Sequence, residues 1–129
     1  MEFINKKYLS DEPIVKETIF DTIKKMSIDE LLVNINNNCI ISLYQYGLYS
    51  LTGTHVVKNC KRAFNIFTYV GCECMLIDGI YMLAWCYQYG IGTMKHTDNA
   101  IFLYDLLVKA NYNVAQYKLA EIYEYMHLN

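Results

Sequence analysis

The chain has 129 residues, the length of one domain, and 54% of them are hydrophobic, which is enough for a continuous core and excludes a disordered tail. Its net charge of −2 argues against binding to nucleic acid, because proteins that bind it normally carry a basic face. The N-terminus lacks the apolar core of a secretory signal, and the most apolar stretch (75–87) contains Asp78 and is too short to span a bilayer. Five cysteines, an odd number, disfavour a full set of disulfides, so we predict a cytoplasmic protein that has reduced thiols and no membrane attachment.

The first 38 residues predict two helices. Residues 11–26, DEPIVKETIFDTIKKM, form the first, with Ser10 or Asp11 as its cap. In SIDELLVNI, Ser27 precedes two acidic residues, which is typical of the start of a second helix. We interpret residues 1–38 as an N-terminal helical cap or as a degenerate copy of the repeat that follows.

An internal repeat occupies residues 39–129. The stretch GIYMLAWCY at 79–87 matches AQYKLAEIY at 115–123, an offset of 115 − 79 = 36 residues. Earlier in the chain, Ala63 aligns with Ala100 at an offset of 100 − 63 = 37, and we place the extra residue in the linker at 75–78. Each period predicts a helix, a glycine turn, a second helix and a short linker. The predicted units are 42–74, 79–110 and a final half repeat at 113–127.

The second unit shows the first helix and its turn most clearly. Leu83, Ala84 and Tyr87 lie on one stripe of that helix. Gly90 and Gly92 then end it sharply, because glycine adopts backbone conformations that other residues reach only at a cost.

The second helix of this unit is predicted at about 98–110, with Thr97 and Asp98 as its caps. Its apolar positions are Ala100, Leu103, Tyr104, Leu107 and Val108. A helix pair with one apolar face cannot bury that face alone, which predicts that successive pairs stack into a solenoid.

The run LAWCYQYGIGTMKHTDNA (83–100), followed by Tyr104 and NYNVAQYKLAEIY (111–123), resembles the Sel1-like repeat of the tetratricopeptide-like superfamily. The resemblance implies an all-α, right-handed α-solenoid of helix-turn-helix repeats. It also implies a non-enzymatic scaffold or adaptor that holds a protein or peptide on the concave wall formed by the first helices. The first unit departs from the pattern, because Ser50 replaces the tyrosine and only Gly53 remains of the turn glycines.

The resemblance divides the first helices into core positions and wall positions. Leu83, Tyr87, Leu119 and Tyr123 fall at core positions of the pattern. The positions between them face the concave wall and are our predicted partner-binding residues: Gln45, Tyr49, Met82, Trp85, Gln88, Tyr89, Lys118, Glu121 and Tyr125. Tryptophan and tyrosine are frequent anchors of interfaces, which favours this hypothesis. The alternative for Trp85 is that it packs against the neighbouring repeat.

Candidates for chemistry are weak in this sequence. Cys72-Glu73-Cys74 with Cys60 and Cys86 on either side lacks the paired spacing of structural zinc sites. His55 and His96 fall in similar loops, but no acidic or cysteine partner recurs with them. The glycines at 90 and 92 lack the rest of a phosphate-binding motif. We therefore predict no metal site, no cofactor and no enzymatic activity.

The last predicted helix suggests a second possible role. With no second helix after it, some of Ile122, Tyr125 and Met126 are expected to be exposed. The protein then joins a second copy or a larger particle through this helix, or else the helix is a cap with its apolar residues turned inward. Its polar face, with Glu121 and Glu124, slightly favours the cap.

Overall fold

A computed structural model of the protein describes residues 27–128. Within this range the chain forms six α-helices and no strands, which confirms the all-α prediction. The helices are α1 (Ile28–Asn36), α2 (Ile40–Thr52), α3 (Cys60–Thr68), α4 (Ile77–Tyr89), α5 (Thr97–Lys109) and α6 (Val114–Leu128), and α3 runs on as a π-helix over Tyr69–Glu73. The helix predicted at 11–26 lies outside the described residues.

The start of α1 is as predicted. The Ser27 hydroxyl accepts a hydrogen bond from the Glu30 backbone N–H, and the Glu30 carboxylate accepts one from the Ser27 N–H, both at 3.2 Å. Leu31 is fully buried and lies seven residues before Asn38 (38 − 31 = 7). Tyr104 is also fully buried and lies seven residues before Asn111 (111 − 104 = 7). Both asparagines have positive φ angles in the linkers, so the end of α1 resembles the end of α5.

The two turns between paired helices recur one period apart. Gly53 and Gly90, 90 − 53 = 37 residues apart, end α2 and α4 with φ angles of 79° and 70°. At the next turn position stand His55 with φ 59° and Gly92 with φ 71°. A Cβ at Gly92 would overlap the carbonyl oxygen of Cys60, so this turn packs directly on the start of α3.

The cap of α5 differs from the prediction. We expected Thr97 or Asp98, but the N-cap is His96, whose Nδ1 accepts a hydrogen bond from the Asn99 backbone N–H at 3.2 Å. His96 lies one period after Asn59, the N-cap of α3, since 96 − 59 = 37. The prediction was wrong because Thr97 is already the first helical residue, and the imidazole nitrogen takes the place of the usual side-chain oxygen.

The π-helix holds the extra residue of the first unit. The Leu76 N–H donates to the Val70 carbonyl, six residues back, whereas the Tyr112 N–H donates to the Leu107 carbonyl, five residues back, and both bonds measure 2.9 Å. These are equivalent positions, and all four residues are buried. The extra residue therefore lies before Leu76, in the wider turn of the π-helix, and our placement in the linker at 75–78 was wrong.

Two contact regions join the helix pairs from α2 to α6. We call the packing of the α2–α3 pair against the α4–α5 pair the first junction, and the packing of the α4–α5 pair against α6 the second junction. The core of the first junction contains the buried residues Ala63, Phe67, Leu83 and Cys86. The core around the second junction contains Ile77, Ile80, Ala84, Ala100, Tyr104, Leu107, Tyr112, Ala115 and Ile122.

The four core positions implied by the resemblance have different outcomes. Leu83 is buried, and Leu119 and Tyr87 are partly buried against the core. Tyr123 is 53% exposed, so its assignment to the core was wrong. The Tyr87 ring faces His96 at the start of α5, the second helix of its own pair, with ring centroids 6.1 Å apart, whereas no helix follows α6 within the described residues.

Candidate binding site between α4, α5 and α6

Two predicted wall residues do not reach the surface. Gln45 and Tyr49 are 3% and 4% exposed, so neither can form part of an open wall, and that part of the prediction was wrong. The reason is that α2 lies between α1 and α3 and has neighbours on both sides. Within the described residues, the Gln45 Oε1 and the Tyr49 hydroxyl have no hydrogen-bond partner.

Trp85 and Met82 are half-buried in the first junction. Both pack against the cluster that includes Ala63 and Phe67 of the preceding helix pair. The Trp85 ring also meets the Tyr89 ring edge-on at 5.1 Å. Trp85 is therefore partly covered by the core of the first junction and partly open to solvent.

The remaining predicted residues gather at the second junction. A cavity of about 510 Å³ opens where the end of α4 and the start of α5 face α6. Its lining consists of Gln88, Tyr89, Lys95, Thr97, Glu121, Ile122, Tyr125 and Met126. Four of these are predicted wall residues, and Lys118 lies beside them on α6. Lys95 and Thr97 were missed, although they stand one period after Lys58 and Cys60, against which the turns of the fold pack.

A chain of hydrogen bonds links α5, α4 and α6 beside this cavity. The buried Tyr104 hydroxyl donates to Gln88 Oε1 at 2.8 Å, and Gln88 Nε2 donates to Glu121 Oε2 at 2.6 Å. The Tyr89 hydroxyl donates to the same oxygen at 2.6 Å, and Lys118 Nζ donates to the Tyr89 hydroxyl at 2.9 Å. We call these five residues the polar network. It holds the Glu121 carboxylate in one position at the edge of the cavity.

The network also changes the acidities of its members. The hydrogen bond from Tyr89 lowers the pKa of Glu121, so this carboxylate is charged at neutral pH. Partial burial of Lys118 favours its neutral form, but its bond to Tyr89 and the charges around it raise its pKa overall. Burial raises the pKa of Tyr104, which keeps its hydroxyl a donor. The network is therefore a fixed carboxylate and a fixed ammonium group connected through neutral donors.

The first junction has apolar or uncharged residues at each of the five equivalent positions. With offsets of 37 for α4 and α5 and 36 for α6, the pairs are Tyr104 and Phe67, Gln88 and Leu51, Tyr89 and Thr52, Lys118 and Met82, and Glu121 and Trp85. Leu51, Met82 and Trp85 pack against the core of the first junction. The polar network is thus particular to the second junction and is not a requirement of the repeat itself.

Other chemistry-bearing residues do not assemble into a site. Within residues 27–128, no group of three or more histidine, cysteine or acidic side chains is placed to hold a metal ion. Cys86 is buried, and burial raises its pKa to about 12, which makes it a poor nucleophile. Among the described residues, none of the helices combines the length and the apolarity that crossing a membrane requires.

Comparison with known families decides the class of the repeat. The Sel1 repeat model matches residues 40–68, 77–112 and 113–129. The chain belongs to the Sel1 repeat family. The three matches begin at α2, α4 and α6 of this Sel1 repeat protein, as the internal offsets require. No curated protein and no solved structure matches it significantly. Sel1 repeats generally mediate contacts between proteins and are typically non-enzymatic scaffolds.

Proposed function

We propose that this Sel1 repeat protein is a cytoplasmic adaptor that binds a protein partner at the second junction. The polar network carries the proposal, because it replaces apolar contacts of the first junction with a carboxylate and an ammonium group beside an open cavity. Tyr89 and Tyr125 are 44% and 59% exposed at that cavity and supply aromatic contact area. The five free cysteines support a reducing compartment.

The test is affinity capture from the native host with three forms of the protein. The wild type and Tyr117→Ala, whose side chain is 78% exposed on α6 outside the cavity lining, should capture the same partner. Tyr89→Ala combined with Tyr125→Ala should weaken that capture by about 30-fold or more, since loss of even one interface anchor costs about 2 kcal/mol. Equal capture by all three forms would reject the second junction as the binding surface.

A second candidate function is self-association or assembly into a larger particle through α6. Besides Tyr123, the exposed side chains of α6 include Tyr117 at 78% and Met126 at 51%. Sedimentation at micromolar concentration checks this candidate. It predicts a dimer or larger species that Tyr117→Glu disperses, and a monomer at that concentration counts against it.

A further inference from the structure

The cavity corresponds to a place that the chain itself fills at the first junction. There the turn residues Ile91 and Gly92 pack on the α2–α3 pair. Gly92 lies so close to the start of α3 that a Cβ would overlap the Cys60 carbonyl and stand 2.8 Å from the Phe64 Cβ. Ile91 packs against the buried cluster that includes Cys86. The first junction is therefore closed by an aliphatic residue followed by a glycine.

The same positions one period later line the cavity. Thr97 corresponds to Cys60 (97 − 60 = 37), and Ile122 corresponds to Cys86 (122 − 86 = 36). The surface on which a turn docks is thus repeated at the second junction.

The turn itself is not repeated there. Met126, His127 and Leu128 stand one period after Gly90, Ile91 and Gly92, at an offset of 36. None of the three is a glycine, so α6 continues through Leu128. His127 and Leu128 are exposed and do not line the cavity. The docking surface is present without the turn that covers its counterpart.

We infer that the cavity binds a surface turn of a partner protein in which an aliphatic residue precedes a glycine. This inference rests on the proposed function and names the chemistry of its ligand. The glycine fits the close approach at Thr97 as Gly92 fits that at Cys60, and the aliphatic side chain packs on Ile122. The Oε2 atom of Glu121 accepts hydrogen bonds within the polar network. Its other oxygen, Oε1, accepts hydrogen bonds from backbone N–H groups of the bound turn.

A second copy of this chain does not offer such a turn. Its Ile91-Gly92 turn is already packed at its own first junction. Its other turn has Thr54 and His55 at the corresponding positions, so it lacks both the aliphatic residue and the glycine. The ligand is therefore a different protein.

The test uses a synthetic peptide with the sequence of residues 87–97, YQYGIGTMKHT, and the full-length protein. Binding is measured by isothermal titration calorimetry. Two matched peptides carry Gly92→Ala or Ile91→Asp. We expect the parent peptide to bind and each variant peptide to bind at least about tenfold more weakly, a difference of about 1.4 kcal/mol.

Protein variants locate the binding. Met126→Lys, on the cavity lining, should weaken binding of the parent peptide by about tenfold or more. Tyr117→Ala, outside the lining, should leave that binding unchanged. Met126 is 51% exposed, so the variant is expected to fold, and thermal melts by circular dichroism check this. The parent peptide should also displace the partner captured by the wild-type protein.

Two results overturn the inference and leave the proposed function standing. One is equal binding of the parent and Gly92→Ala peptides. The other is a captured partner that depends on Tyr89 and Tyr125 but is not displaced by the parent peptide. Self-association that Met126→Lys abolishes would assign the cavity to a second copy and also overturn the inference. Capture that ignores all of these variants rejects the proposed function itself.

Discussion

At the scale of single residues, the second junction depends on one buried donor. The Tyr104 hydroxyl has no access to water and gives its hydrogen bond to Gln88, which is itself buried. A buried acceptor that loses its only donor carries the full cost of its desolvation. The equivalent residues of the first junction, Phe67 and Leu51, avoid this cost because neither has a polar atom to satisfy.

We expect Tyr104→Phe to lower the free energy of unfolding by about 1–2 kcal/mol, because Gln88 Oε1 loses its partner. Adding Gln88→Leu should restore most of this loss by recreating the apolar pair of the first junction. Urea unfolding of the single and double variants measures both effects. Equal destabilisation of the two variants would show that the hydrogen bond is not the source.

Glu121 makes stability depend on pH. Its pKa is lower in the folded state than in the unfolded chain, chiefly because of the hydrogen bond from Tyr89. Its contribution is complete above the ordinary glutamate pKa of about 4.3 and is lost as pH falls through the lower folded-state value. Between about pH 6 and pH 3 we therefore expect the wild type to lose more stability than Glu121→Gln. Glu124→Gln on the same helix is the control and should follow the wild type in urea unfolding at each pH.

The site was partly predictable residue by residue. The resemblance to Sel1-like repeats placed Tyr89, Glu121 and Tyr125 on the wall, and all three line the cavity. It placed Gln45 on the wall because spacing alone does not show that α1 covers one side of α2. Lys95 was missed because it lies in a turn, whose direction depends on packing against the neighbouring repeat.

At the scale of the helix, the π-helix lets two units of unequal length keep equivalent core positions when they stack. Ala63 and Phe67 before it keep the 37-residue offset to Ala100 and Tyr104, and all four side chains are fully buried. The sequence correctly predicted that the first unit is one residue longer than the second. Two aligned positions, however, give only the number of residues between them and not where the extra residue lies. Where the backbone widens depends on the contacts of Val70 and Leu76 with the core, which the sequence does not display.

Deletion of Cys72, which is exposed within the π-helix, should convert this turn to α-helix and leave the junctions unchanged. Deletion of Asn65, exposed in α3, removes a residue upstream of Phe67 and should displace that ring from the core. We expect a stability close to wild type for the first variant and a loss of about 3 kcal/mol or more for the second. Circular dichroism and urea unfolding compare them, and equal losses would refute the role assigned to the π-helix.

At the scale of the whole molecule, stability depends on how firmly successive repeats are joined. In stacked repeats, each unit contacts only its neighbours, so the contact between units sets the cooperativity of unfolding. Among the glycines, Gly92 makes the closest contact of this kind, since a Cβ there would overlap the Cys60 carbonyl at the start of α3 in the preceding pair. Gly53 also has a positive φ, but its nearest neighbour is the Lys58 side chain within its own turn.

We expect Gly53→Ala to cost about 1 kcal/mol, the usual penalty for a left-handed conformation. Gly92→Ala should cost at least twice as much, because it adds a clash with the Cys60 carbonyl to the same backbone penalty. It should also broaden the thermal unfolding transition, as the first junction separates before the helices melt. Similar losses in the two variants, measured by calorimetry, would show that the Gly92 contact is not what joins the repeats.

The two junctions should respond differently to cooling. Apolar contacts such as those of Leu51 and Trp85 weaken on cooling, because their stabilisation near room temperature comes from the entropy of water. The hydrogen bonds of Gln88 and Glu121 have no such origin and persist in the cold. At these equivalent positions, cooling therefore weakens the contacts of the first junction more than those of the second. In hydrogen exchange near freezing, amides of the α2–α3 pair should lose protection before those at the junction of α4 with α6.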